Sequence, residues 1–274
     1  MIVTIQDDFD LYKITHSGQC FRAIQEADNT YRFITGENIL HITELSDKDD
    51  LGKTFEVSCT KDEWKKVWFE YFDLDNNYRK IRESIPREDS YLRNAALLGK
   101  GIRILKQDKF ETLISFIISQ RKSIPAIRKS VELLSGNYGK KSHEDGVCFF
   151  PTATEIFSAT KEELATCGLG YRIPYIMKVA KQITEGEIDI NQWDTLPDEE
   201  LVTELKSIYG VGDKVANCVA LFSYHRTGLA PVDTWIKKVI ETKYSGINPF
   251  EGYGNYAGIM QQYMFYQAQH LKGE

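Results

Sequence analysis

Leu205-Lys-Ser-Ile-Tyr-Gly-Val-Gly-Asp-Lys-Val-Ala-Asn217 is the stretch from which the fold can be worked out. It reads as one helix stopped at Gly210-Val211-Gly212 and a second helix begun at once. Glycine tolerates positive φ and lets another backbone come close. The first amides of a helix have no partner within it, so such a turn makes an anion site suited to a phosphate. A Gly-x-Gly pair taken alone favours a plain helical hairpin with a glycine stop, since glycine is the commonest helix terminator. Lys214 adds a second signal, because the first turn of a helix is an unusual place for a cation. The field there, with any burial, favours the neutral amine, which is a good nucleophile for electrophilic carbon. A solvated surface lysine is the ordinary alternative.

Asp233 supplies context for that lysine. It follows Pro231-Val232 and opens the apolar-periodic run Thr234-Trp-Ile-Lys-Lys-Val-Ile, as an N-cap aspartate does. A helix over 214–224 is roughly 16 Å long. The stretch 225–232 spans at most about 27 Å, so the chain can return Asp233 to the level of Lys214. A carboxylate beside a nucleophilic amine can stabilise positive charge developing on a sugar and manage protons.

Outward from the hairpin the pattern is helical from about residue 89, with helices expected over 110–120, 124–134, 174–183, 198–208, 213–224, 233–243 and 255–269 and short turns over 155–157 and 162–165. The segment 138–151 reads as a loop. Toward the N-terminus, 19–24, 31–35 and 38–43 alternate apolar and polar residues as strands do, with a turn over 26–30. Thr60 looks like an N-cap with Glu63 three residues on, followed by Trp64, Val67, Trp68 and Tyr71 at helical spacing. The expected class is α+β, mostly α: a small antiparallel β-sheet domain over 1–85, then a helical body over 86–274 with the hairpin at 198–224.

Bulk composition excludes several classes. With 42% hydrophobic and 27% charged residues the chain is an ordinary globular sequence. No apolar run has the length of a membrane span. Met1 to Asp10 carries Asp7, Asp8 and Asp10 and no Lys or Arg, unlike a signal or transit peptide, so an intracellular soluble protein is expected. Cys20, Cys59, Cys148, Cys167 and Cys218 form no C-x-x-C pair, so neither a zinc nor an iron–sulfur site is expected. The net charge of −6 argues mildly against nucleic acid, but the whole acidic excess sits within residues 1–70 and the remainder is balanced.

Gly210-Val-Gly-Asp-Lys-Val-Ala followed by Pro231-Val-Asp resembles the helix-hairpin-helix DNA glycosylases with a Gly/Pro…Asp loop, and Lys214 marks the branch with both glycosylase and lyase activity. Three further stretches, Ser17-Gly-Gln-Cys-Phe-Arg22, Tyr71-Phe-Asp-Leu-Asp75 and Gly168-Leu-Gly-Tyr-Arg172, are similar to motifs of the 8-oxoguanine DNA glycosylases. The resemblance runs from about residue 8 to 270. It implies a TBP-like N-terminal domain, an active-site cleft between two helical subdomains, and duplex DNA containing 8-oxoguanine as partner.

Roles follow from it position by position. Lys214 and Asp233 would be catalytic. Gly18 would offer its carbonyl to the N7–H that 8-oxoguanine has and guanine lacks, the kind of mismatch that discriminates strongly. Cys218 and Phe265 would sandwich the flipped base and Gln261 would bond its Watson–Crick edge, although both sandwich residues read as core when taken alone. Tyr171 would wedge into the duplex and Arg172 would read the estranged cytosine, with Gln120 and Arg121 as further opposite-base contacts. Gly210, Val211 and Gly212 would hold a phosphate, with a monovalent cation on backbone carbonyls near Ile208 and Val211. No cofactor and no catalytic metal is implied, and a monomer is expected, cytoplasmic or, in a eukaryote, nuclear. Two positions depart from the family. Ala126 stands where a cytosine-reading Arg is expected, so opposite-base preference should be relaxed, with Arg121 and Lys122 as substitute contacts. Trp235 stands where a His near a phosphate is expected. Other readings of the same residues are a glycosylase for ring-opened guanine or another damaged purine, and a non-catalytic hairpin module that binds DNA.

Overall fold

The computed structural model describes residues 1–45, 52–144 and 146–270. Five strands, β1 (Ile2–Ile5), β2 (Ile24–Ala27), β3 (Thr30–Thr35), β4 (Asn38–Leu45) and β5 (Lys53–Val57), form one antiparallel sheet in the order β1-β5-β4-β3-β2. The alternation seen in the sequence sets which side is buried. Tyr31, Phe33, Leu40, Ile42, Phe55 and Val57 point into a core shared with Phe9, Leu11, Ile14, Trp64, Trp68, Tyr71 and Phe72. The helix expected after Thr60 begins there, the Thr60 hydroxyl accepting from the Glu63 amide at 3.2 Å. Its middle, Trp64–Trp68, is wound as a π-helix.

One expected strand is not a strand. Only Ile24 of the stretch 19–24 belongs to β2. The preceding loop buries the polar side chains of Ser17, Gln19 and Arg22. Gln19 Nε2 donates to Ser17 Oγ and to Arg103 O, both at 2.8 Å, and Gln19 Oε1 accepts from the Leu105 amide at 2.8 Å. The period-2 alternation there comes from buried polar residues bonded to backbone, not from a pleat. The expected turn over 26–30 tightens to Asp28-Asn29, with Asn29 at φ +58° and β2 running on to Ala27. β1, β5 and the helix Leu11–His16 lie outside the pattern read from sequence.

The long helices stand where periodicity put them: Lys109–Ser119, Ile124–Tyr138, Ile173–Thr184, Asp198–Ser207, Asp213–Phe222, Thr234–Lys243 and Ala257–His270. The loop over 138–151 carries a single β-bridge, Lys141 to Cys148. Among the described residues no helix is long and apolar enough to cross a membrane.

The chain divides into two compact units. The first unit comprises 1–33, 39–106 and 225–274, and the second 34–38 and 107–224. In the first, Arg103 has no solvent exposure. Its Nε donates to Phe72 O at 2.8 Å, Nη1 to Asp7 Oδ2 at 2.9 Å and Asp8 O at 3.0 Å, and Nη2 to Asn76 O at 2.7 Å and to Asp73 O. Burial pushes the carboxyls of Asp7 and Asp73 up. For Asp7 the Arg79 amide and the Arg103 guanidinium outweigh it, and for Asp73 His225 and the Tyr78 hydroxyl do, so both end below the usual carboxylate range.

A group depressed on folding stabilises the native state above its unfolded pKa and loses that contribution as pH falls through the folded value. Arg103→Met is therefore expected to cost about 3–5 kcal/mol at neutral pH, because it strands buried acceptors. The gap to the parent should narrow as pH falls below about 4 and Asp7, whose carboxylate Arg103 helps hold ionised, protonates in the parent. Urea melts of both proteins across that range measure it.

Candidate active site

Helices Asp198–Ser207 and Asp213–Phe222 are joined by a turn in which the Val211 amide donates to Ile208 O at 3.0 Å. Gly210 sits at φ +90°, and a Cβ built on it would lie 2.4 Å from Tyr175 Cγ, so glycine is required twice over. Gly212 begins the second helix at φ −102° with nothing within 4 Å of its would-be Cβ. The helix start is thus open to a ligand on that side. Among the described residues no cluster of three or more His, Cys, Asp or Glu side chains could hold a metal ion.

Lys214 lies in the first turn of the second helix and is half-buried. Its Nζ stands 4.9 Å from the Phe116 ring centre and 3.4 Å from Ser119 Oγ, both on the buried helix Lys109–Ser119. Cys218, one turn on, is buried.

The insertion loop belongs to the same unit. Gly168 and Gly170 adopt φ +67° and +58°, and the 3-10 turn Gly170–Arg172 runs directly into helix Ile173–Thr184. Tyr171 is 50% exposed and its hydroxyl donates to Gln120 O at 3.4 Å. Arg172, by contrast, is buried: Nη1 donates to Leu169 O at 3.2 Å, Nη2 to Gln120 O, and its guanidinium sits 4.3 Å from the Tyr171 ring centre. The Gln120 side chain donates in turn to Gly210 O at 3.0 Å. The structure therefore brings Gln120, Tyr171, Arg172 and Gly210 into one hydrogen-bonded group. Arg121 beside them is exposed, at φ +53°. Lys122 is committed elsewhere, its Nζ donating to Gly168 O at 2.7 Å and to Ser130 Oγ, with burial and the nearby Arg172 lowering its pKa. It braces the insertion loop from behind. Ala126, in the first turn of helix Ile124–Tyr138, carries no polar group.

The remaining candidates belong to the other unit. Asp233 caps helix Thr234–Lys243, and Oδ1 alone accepts from the amides of Trp235 at 3.0 Å and Ile236 at 2.9 Å. Its Oδ2 makes no hydrogen bond among the described residues. Gly18 sits at φ +76° in the loop that Gln19 pins. Gln261 and Phe265 are one turn apart on helix Ala257–His270. Gln261 is buried with Oε1 unpartnered, and Phe265 is half-buried. Gln262 Nε2 donates to Ser17 O at 2.5 Å, which fastens this helix to the Gly18 loop.

Sequence reasoning missed the parts played by Gln262, Gln19 and Arg103, which hold the Gly18 loop and helix Ala257–His270 in place. Their only signal was polarity inside otherwise apolar stretches. Asp73 of the Tyr71–Asp75 motif is likewise structural. It is buried at φ +52°, with Tyr78 Oη 2.7 Å, Asn76 Nδ2 2.8 Å and His225 Nε2 3.1 Å from its carboxylate.

A glycine-turned helical hairpin, an amine in the first turn of its second helix and a Pro-Val-Asp cap on the next define a helix-hairpin-helix base-excision glycosylase. Residues 114–249 match the HhH-GPD superfamily of base excision DNA repair proteins, and residues 1–113 match the 8-oxoguanine DNA glycosylase N-terminal domain. An N-glycosylase/DNA lyase of Saccharomyces cerevisiae is 34% identical over 85% of this chain and 68% of its own length. An 8-oxoguanine glycosylase/lyase of Clostridium acetobutylicum, solved with dsDNA containing cytosine opposite 8-oxoG, superposes with a TM-score of 0.87 at 33% identity over 98% of each chain. MBOgg1 in complex with a low-affinity DNA ligand gives a TM-score of 0.90 at 33% identity over 98% of this chain and 95% of that one. The chain belongs to the 8-oxoguanine DNA glycosylase/lyase family.

The two hairpin glycines should separate in experiment. Gly210→Ala must displace Tyr175 and hold alanine at positive φ, and should cost about 1–3 kcal/mol. Gly212→Ala should change stability by less than about 0.5 kcal/mol, yet weaken binding to undamaged duplex by placing a methyl at the open helix start. Thermal melts and DNA-binding titrations of the two variants check this.

Proposed function

We infer that this chain is a bifunctional DNA glycosylase/AP lyase that removes 8-oxoguanine from duplex DNA in base excision repair. Family membership over both halves of the chain carries the assignment. The residue roles are argued from chemistry.

Base flipping must come first, because a stacked base hides its glycosidic bond. The hairpin turn holds a phosphate by its amides, and a cation on the carbonyls of Ile208 and Val211 would strengthen that grip. Tyr171 fills the gap left by the lesion. What supports Tyr171 over Arg172 as the wedge is exposure, since the Arg172 guanidinium is committed to carbonyls. Gly18 O accepts the N7–H of the oxidised base. Gln261, whose acceptor oxygen is buried and unpartnered, suits the donors on the purine Watson–Crick edge. Cys218 and Phe265 supply the two faces of the sandwich.

Lys214 Nζ then attacks C1′. The bond from C1′ to the base nitrogen breaks, its electron pair leaves with the base, and the base takes up a proton. Asp233 balances the positive charge that develops on the sugar. The amine adduct opens to a Schiff base. Loss of a C2′ proton then expels the 3′ phosphate by β-elimination. A DNA substrate places the enzyme with the chromosome, in the cytoplasm of a bacterium or the nucleus of a eukaryote.

Lys214→Gln is expected to abolish borohydride trapping on an 8-oxoguanine duplex while DNA binding persists. Trapping by that variant would refute the nucleophile. Asp233→Asn keeps a good cap, so melting should barely move, whereas excision should fall by about 100-fold or more. With Ala126 offering no hydrogen bond to the opposite base, nicking rates against cytosine, thymine, adenine and guanine should differ by no more than about tenfold, one specific contact's worth. A cytosine preference far beyond that would return the reading of the opposite base to Arg172.

A further inference from the structure

Away from Gly18, Asp233, Gln261 and Phe265, the first unit contains a cavity of about 520 Å³. Its lining is unlike the rest of this acidic chain. Arg82, Arg87 and Arg93 face it, with Glu83 as the one acid among the lining residues. Leu97, 66% exposed, supplies the apolar surface, while Ile85 is buried behind the lining. Helix Ser90–Leu98 packs its buried residues Leu92, Ala95 and Ala96 inward against helix Ala257–His270, so Arg93 and Leu97 stand on its solvent side.

Two of the three arginines are not spent on the fold, and the third is tied to buried Asp8 by one edge only. Arg82 Nε donates to Asp8 Oδ2 at 2.7 Å, which fixes the side chain while both Nη groups make no hydrogen bond among the described residues. A guanidinium held by one edge has already lost the freedom it would lose on binding, and its planar fork suits a carboxylate or phosphate. Arg87 and Arg93 make no ion pair among the described residues. Lys100 adds a fourth cation, 3.9 Å from Asp8. Among the lining residues three arginines face one acid, Glu83, so positive charge is in excess along the lining. Nothing aromatic lines the cavity, which leaves no stacking platform for a nucleobase.

We propose that this cavity is a docking site for a partner protein, taking an acidic peptide segment that carries an aliphatic anchor. Carboxylates of the segment pair with Arg82, Arg87 and Arg93, and its apolar side chain covers Leu97. A small-molecule phosphate would use the charges and leave the exposed leucine uncovered. DNA would use them too, but has no aliphatic group to cover Leu97 apart from the thymine methyl.

The test uses the full chain and a fluorescein-labelled dodecapeptide of Asp and Glu with two central leucines, read by anisotropy. Comparison probes are the same peptide with serine for leucine, a Lys-for-Glu peptide, a dodecamer of thymidine and inorganic phosphate as competitor. The acidic leucine peptide should bind, and the R87E/R93E variant should bind it at least tenfold more weakly, with unchanged melting and nicking of 8-oxoguanine duplex. Leu97→Ser should weaken it by about threefold or more. Should charge reversal unfold the chain, R87Q/R93Q carries the same expectation. The proposal is overturned if the peptide does not bind, if leucine and serine peptides bind alike, if millimolar phosphate displaces the peptide fully, or if oligothymidine is the ligand that charge reversal weakens. Nicking does not depend on this cavity, so failure here leaves the glycosylase assignment standing.

Discussion

The first unit depends on one cation that never meets water. A buried guanidinium stays charged, and removing it from solvent costs several kcal/mol unless its donors are all matched. Arg103 matches them with backbone oxygens from two separate segments, Asp8 and the stretch from Phe72 to Asn76, and with the Asp7 carboxylate. Those oxygens belong to irregular backbone with no helix or ladder to satisfy them. The same residue passes the constraint on. Its carbonyl and the Leu105 amide clamp both ends of the Gln19 amide, and Gln19 fixes the loop that presents Gly18. The base-reading role proposed for the Gly18 carbonyl would tolerate little play, and its precision would be inherited from packing some distance away.

Gln120 has the corresponding place in the second unit. Its carbonyl receives the Tyr171 hydroxyl and the Arg172 guanidinium, while its side-chain amide reaches Gly210 O. Wedge, insertion loop and phosphate turn are therefore one mechanical piece, with Lys122 tied to Gly168 O behind it. A wedge has to hold its position against a few kcal/mol of base stacking. In the proposed mechanism, coupling Tyr171 to the hairpin turn would let phosphate binding resist that load.

Local chemistry in this chain was legible and distributed chemistry was not. The Gly210–Gly212 stop, the Asp233 cap and the 3.6-residue periodicity of the long helices depend on a few adjacent residues, and they could be located from the sequence alone. The stretch from Gln19 to Ile24 misled because buried polar side chains mimic the alternation of a strand. What separates them is a carbonyl contributed by Arg103, 84 residues away. The burial of Arg172 was equally hidden. A Tyr-Arg pair after glycine reads as exposed, and only the three-dimensional position of Gln120 O turns the arginine inward. Family resemblance singled out the candidate residues. It did not distinguish those that touch the substrate from those, like Asp73, that hold the fold.

The division of catalytic labour has a physical basis in how each group is held. Within its own unit Lys214 has an aromatic face and one hydroxyl for company, and no carboxylate within ion-pair distance. A carboxylate bonded to it there would fix the ammonium form and occupy the lone pair that must attack carbon. The negative charge needed later is carried by Asp233 on a separate helix. Both capping bonds of Asp233 fall on Oδ1, and this frees the residue to do two things at once. One oxygen anchors the helix start while the other keeps its lone pairs. Substituting a hydroxyl-bearing cap would preserve the helix and remove that second oxygen, so the proposed role calls for an acid at a position that otherwise looks like ordinary helix punctuation.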